Sequence, residues 1–292
     1  MGGDLNDVVW THRPALRRPV LVAAFGGWND AGDAASAAVE FIRSRFEPAA
    51  VARIELEDYL DFTETRPTAR LVDSRTREID WPVTSIAAAE VRGADNDIVV
   101  VQGPEPSLRW RRYCETVITI AQELDVRRIV TLGSLLADVP HSRPVHVTGI
   151  GSDSALLDRL GFSPTSYEGP TGITGVLNYE AGRMGVPSVS LWASVPHYVA
   201  AAPNPKVALA LVRAFEGAAG LAVDATDLEE AAEDYERQVN AAVASDPEVK
   251  AFVERLESAM DEVSEDEGIE PNIPSADMIA SDFQRFLRQR RG

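Results

Sequence analysis

The sequence has one cysteine, Cys114, in 292 residues, and only two lysines, Lys206 and Lys250, among its 28 basic residues. A single thiol excludes an internal disulfide framework and any cysteine-based metal site. Long apolar runs are missing as well. The apolar stretches, such as those at 19–27 and 98–101, fall far short of the roughly 20 residues that a membrane helix needs. The first 20 residues place two acids before their first base and contain no apolar stretch ending in a small-residue cleavage site, so they do not read as a signal peptide. These absences predict a soluble, cytoplasmic protein with no membrane partner.

Three chemical signatures are also absent. Neither the dinucleotide pattern GxGxxG nor the phosphate-loop pattern GxxxxGK occurs, and the nucleophile elbow GxSxG is missing. No cofactor and no metal is expected. Nucleic acid is excluded by charge: the chain carries -18 at neutral pH, and a phosphate backbone requires a basic face. Most of that charge lies in one block, because residues 224–270 hold 17 acids against 3 bases.

What is present is ordinary globular material, 45% hydrophobic and 25% charged, in a chain long enough for one large core and an appendage. Residues 19–25 form a continuous apolar run ended by Gly26 and Gly27, the pattern of a strand buried on both faces of a parallel sheet. A helix is predicted over 30–45, with Asn29 or Asp30 as its cap. The unit recurs, with strands at 97–102, 127–132 and 187–193, and helices at 107–124, 171–184 and 205–219. Residues 56–85 lack periodicity and are expected to be loops or an edge hairpin.

The alternation predicts an α/β domain over 1–222, a three-layer mixed sheet flanked by helices. Residues 223–292 are predicted to be an acidic helical extension outside the sheet domain. Within it, Asp246 and Pro247 separate two amphipathic helices, 227–243 and 247–263. A last helix after Ser275 carries the apolar stripe Met278, Ile279, Phe283, Phe286 and Leu287, with Arg285, Arg288, Arg290 and Arg291 as candidates to offset the acids.

Chemistry-bearing residues collect where strands end and helices begin, the edge at which open α/β sheets gather ligands. Gly27, Trp28, Asn29 and Asp30 follow the first strand. Glu105, Ser107 and Arg109 follow the second, as an acid, a capping hydroxyl and an anion clamp. Ser134, Asp138, His141 and Arg143 follow the third and are hydrolase side chains, although their spacing certifies no triad. Glu168 and Thr171 lie in a glycine-rich turn, and His197 follows the last strand. A shared binding cleft is predicted from these fourteen residues, and convergence of Asp30, Glu105, Asp138 and His141 in one closed pocket would favour chemistry over binding.

Six stretches in constant order, GWNDAG at 27–32, GPEPS at 103–107, GSLLADVPH at 133–141, GPTGI at 169–173, SLWASVPH at 190–197 and PNP at 203–205, resemble the proteasome assembly chaperone type-two family in its actinobacterial branch. The resemblance spans roughly residues 15–220. It implies a fold like that of purine nucleoside phosphorylases and related hydrolases, with a mixed sheet between helices. It also implies a non-enzymatic assembly protein with a protein client, proteasome-related by resemblance alone, and a homo-oligomer with a trimer favoured. Trp28, Trp81 and Trp110 are the aromatic candidates for that interface. The alternative is an orphan enzyme of the phosphorylase-like or hydrolase-like class acting on a small molecule. Family chaperones that dock into proteasome rings often end in a hydrophobic residue, a tyrosine and one more, whereas this sequence ends Arg290, Arg291, Gly292.

Overall fold

An apolar strand buried on both faces needs helices on both sides, and the chain supplies them. The computed structural model describes residues 5–162, 167–199 and 202–265. Its strands are β1 (Val8–Trp10), β2 (Val20–Gly26), β3 (Ala49–Glu55), β4 (Thr68–Leu71), β5 (Arg77–Asp80), β6 (Val83–Ala89), β7 (Ile98–Pro104), β8 (Arg128–Ala137), β9 (Val147–Gly151) and β10 (Ser188–Pro196). Its helices are α1 (Ala34–Phe46), α2 (Trp110–Glu123), α3 (Ser154–Leu160), α4 (Ile173–Arg183), α5 (Pro205–Ala219), α6 (Thr226–Ala244) and α7 (Pro247–Glu265). Eight strands form one sheet in the order β1-β3-β6-β7-β2-β8-β10-β9. The four central strands, β7, β2, β8 and β10, run parallel, and the outer pairings are antiparallel. The sheet is therefore mixed, as the sequence predicts.

Alternation along β2 divides the core. Val20, Val22 and Ala24 pack with α1 and α5 through Ala35, Val39, Leu211 and Phe215, whereas Leu21, Ala23 and Phe25 pack with α2 and α4 through Val117, Tyr113, Ile173 and Leu177. Phe25, Tyr59 and Tyr113 meet edge to face, and the Tyr113 hydroxyl is 2.7 Å from Thr84 Oγ1 in a fully buried contact. Cys114 lies in the same layer, where burial pushes its thiol far above the ordinary value.

Several elements depart from the sequence reading. Strand β8 does not stop at Gly133 but continues to Ala137, in unbroken register with β10 from Ile129 opposite Ser188 to Ala137 opposite Pro196. Gly133 is a site of close approach: a Cβ there would fall 2.7 Å from the Trp192 ring. Helix α2 starts at Trp110, so Ser107 does not cap it, and its N-cap residue is Arg109 with positive φ. Residues 56–85, by contrast, do form the expected hairpin, small and exposed, β4 with β5, although it pairs apart from the main sheet, and Trp81 beside it packs edge to face on Phe62.

The acidic helices follow directly on α5. Val223, Ala225 and Leu228 join the core cluster under α1 and α5. Asp246 caps α7 through Oδ1, which accepts from the Glu248 and Val249 amides at 2.9 and 3.3 Å, with Pro247 in the first turn. The helix predicted after Ser275, with its arginines, lies outside the described residues. Among the described residues no helix is long and apolar enough to cross a membrane.

Candidate functional site

The C-terminal ends of β2, β7, β8 and β10 do share one rim, but the fourteen sequence-predicted residues divide there into separate groups. The innermost is a polar knot. Asn29, fully buried, donates from Nδ2 to Glu105 Oε1 at 2.6 Å, and the Ile173 amide at the start of α4 donates to the same oxygen at 2.8 Å. The helix start that follows the glycine-rich turn thus holds the protein's own carboxylate where a bound anion would otherwise sit. Gly172 packs against this knot so closely that a Cβ would lie 2.0 Å from Asn29 Oδ1. Glu168 and Thr171 of the same turn are exposed.

Asp30 serves α1. Its Oδ1 accepts from the Ala35 and Ser36 amides at 2.8 and 3.1 Å, satisfying two orphan donors of the first turn. Burial nevertheless holds its carboxyl above the ordinary carboxylate value. Ser134 sits inside β8, fully buried, with Oγ donating to the Ala31 carbonyl at 2.9 Å and its amide to the Asn29 carbonyl at 2.8 Å. Asp138 pairs with His197 at 2.9 Å on the surface, while His141 is held by Tyr198 and Asn240. Ser134 thus bonds to neither histidine, and the Asp138–His197 pair includes no serine, so no relay forms. Arg109 pairs with Asp58 at 3.0 Å and not with Glu105, and the Ser107 amide donates to the Tyr59 carbonyl at 2.8 Å. Gly27, at φ 123°, turns the chain over Glu105 and leaves Trp28 60% exposed.

The outer rim is covered by the acidic helices. The His141 amide donates to the Tyr198 hydroxyl at 2.7 Å, His141 Nδ1 lies 2.7 Å from the same oxygen, and Nε2 is 3.0 Å from Asn240 Oδ1 in α6. Because an amide oxygen only accepts, Nε2 donates to Asn240. Burial holds the Tyr198 phenol above its ordinary value. Lys206 bridges the His141 carbonyl at 2.5 Å and Glu236 of α6 at 2.6 Å. Arg143 forms a fork with Asp261 of α7, at 2.9 and 2.6 Å, and also faces Glu257 at 3.7 Å. Ser142 Oγ donates to Glu257, and Phe252 of α7 meets the His197 and Tyr198 rings edge to face.

A cavity beneath these groups, lined by His141, His146, Lys206 and Tyr235 among others, measures about 20 Å³. That is the size of a single water and well below the several hundred Å³ of a typical metabolite pocket. Among the described residues no group of three or more His, Cys, Asp or Glu side chains could hold a metal ion. The sequence reading missed Tyr198, Lys206, Asn240, Phe252, Glu257 and Asp261. The signal available was Glu257 and Asp261, four apart and so on one face of α7.

A model of the PAC2 family matches residues 24–243. A PAC2 family protein from Streptomyces avermitilis is 44% identical, with a TM-score of 0.75 over 80% of this chain and 99% of that one. A proteasome-assembly chaperone homologue from Mycobacterium tuberculosis is 42% identical, with the same TM-score and the same coverage of both chains. An archaeal proteasome activator from Pyrococcus furiosus, 16% identical with a TM-score of 0.65 over 80% of this chain and 97% of that one, shares the fold. No curated protein matches the chain. The family model spans the sheet from β2 onward and reaches through α6 almost to its end, and the protein belongs to the PAC2 family.

Proposed function

We propose that the protein is a non-enzymatic, cytoplasmic binding protein of the assembly-chaperone type, whose client is another protein. The observation that carries this reading is the engagement of its chemistry-bearing side chains. Asp30, Glu105, Ser134 and His141 each hold a backbone amide, a carbonyl or a neighbouring side chain, and do not face a common pocket. The names of its relatives point to a proteasome-related client. The phosphorylase-like description is carried over as fold and not as chemistry, because Glu105 occupies the position at the α4 N-terminus where an oxyanion would sit.

Affinity purification from the native cell, with mass spectrometry of proteins and small molecules together, tests the reading. It predicts recovery of a protein client in near-stoichiometric amount. Recovery of a metabolite with no protein client would overturn it in favour of an enzyme.

The same reading includes self-association, as a trimer. Trp28 and Trp81 are 60% and 52% exposed, and Leu71 and Ile79 of the β4–β5 hairpin are 63% and 48% exposed. Exposed apolar side chains such as those gathered on the hairpin suit an interface core. Light scattering is expected to give three times the chain mass, and a monomer at micromolar concentration would end this part of the proposal.

A further inference from the structure

Helix α7 is attached to the body differently from every other long helix. Helices α1, α2, α4 and α5 each bury four or more side chains and α6 buries three, whereas among the described side chains of α7 Val253 alone is buried. Its hold on the rim is polar and aromatic: the Arg143 fork to Asp261, the Ser142 hydroxyl to Glu257, and Phe252 against His197 and Tyr198. Arg143 is 34% and Asp261 56% exposed, and ion pairs so open to water hold little.

We propose that Ser142, Arg143, His197 and Tyr198 form a docking surface for an acidic amphipathic helix of a protein partner, and that α7 is its resident occupant, displaced when the partner binds. The proposal rests on the protein-binding reading above and names the surface and the class of partner. The chemistry of the partner is read from the occupant already seated there: one aromatic side chain for the His197–Tyr198 pair, and two carboxylates four residues apart for the Arg143 fork and the Ser142 hydroxyl. His197 is paired with Asp138 and Tyr198 with His141, so neither ring depends on α7 for its polar partner.

The test uses the full chain and a labelled peptide of the sequence 246–265, followed by fluorescence anisotropy at low salt. A bound resident helix lowers apparent affinity by the fraction of molecules in which the surface is open. Loosening α7 with Glu257→Gln and Asp261→Asn together is expected to raise the apparent affinity for the wild-type peptide about tenfold. Adding Arg143→Ala to that variant is expected to weaken binding severalfold. Arg143→Lys, which keeps the charge and loses the fork, should weaken it, with circular dichroism confirming that each variant is folded. Equal binding to the wild-type and loosened chains, no binding to either, or binding unchanged by Arg143→Ala would each overturn the proposal. The assay contains no cellular client, so its failure leaves the recovery experiment standing, and an empty recovery experiment leaves this result standing.

Discussion

At the scale of single residues, the candidate site is an internal scaffold of capped amides and filled positions. Gly172 shows how tightly it is built. Its backbone, at φ -96° and ψ -175°, suits any residue, so an added methyl group would act only through the 2.0 Å approach to Asn29 Oδ1. Gly172→Ala should therefore destabilise by about 3 kcal/mol, at the upper end of over-packing, read as a lower urea midpoint with unchanged slope. A neutral result would mean that Asn29 is free to move and that the knot with Glu105 is loose. Two aspartates make opposite statements about pH. Burial raises the folded-state pKa of Asp30 despite its amide partners, so its contribution is fully present below the ordinary carboxylate value and is lost as pH rises through the raised one. The Arg128 guanidinium, 2.6 Å away, lowers that of Asp153, so its contribution is present above the ordinary value and is lost as pH falls through the lowered one. Stability relative to Asp30→Asn is thus expected to fall with rising pH, and relative to Asp153→Asn to fall with declining pH. Parallel curves from chemical denaturation across the acidic range would refute both assignments.

At the scale of elements, α7 is the one whose attachment depends on ionic strength. Limited proteolysis is expected to cut within 247–265 faster at about 0.5 M salt than at about 0.05 M, while the sheet and α1–α5 stay intact, because screening weakens the Arg143 pairs before it affects buried contacts. Equal rates at the two salts would mean that Phe252 and Val253 hold α7 by themselves. The central strands were legible in the sequence for the same reason that they are central: burial on both faces demands unbroken apolar runs, as in β2 and β7. The full length of β8 was not legible, because the glycine at 133 that looked like a turn is there for the Trp192 ring. Strand β3 and helix α3 were missed because a half-exposed strand and a seven-residue helix leave too short a period to read. The rim residues were legible as a set. Their division into groups was not, since it depends on which backbone amides each oxygen meets, as with Glu105 and Ile173.

At the scale of the whole molecule, charge and packing divide the chain at different places. The acid block begins at 224, and its repulsion is offset by bases of the body: Arg45 to Asp227, Arg213 to Glu229, Lys206 to Glu236 and Arg143 to Asp261. The packing, by contrast, continues through α6, since Val223, Ala225 and Leu228 lie in the core cluster with α1 and α5, and Ala232 and Val239 are buried beyond them. Only after Asp246 does the chain stop burying a continuous apolar face. Two truncations separate these boundaries. Ending the chain after residue 222 uncovers α5 and removes two large apolar side chains from the core, at a cost of about 4 kcal/mol or more. For a chain of this size that corresponds to a fall in Tm of about 8 °C or more. Ending it after residue 244 removes α7 and everything that follows it, and is expected to change Tm by no more than about 3 °C, because exposed ion pairs contribute little. If both truncations melt with the full chain, α6 is not part of the body and the acidic helices are an appendage from residue 223 onward. If both melt far below it, α7 is bound more firmly than its polar contacts allow, and a partner helix would have no means of displacing it.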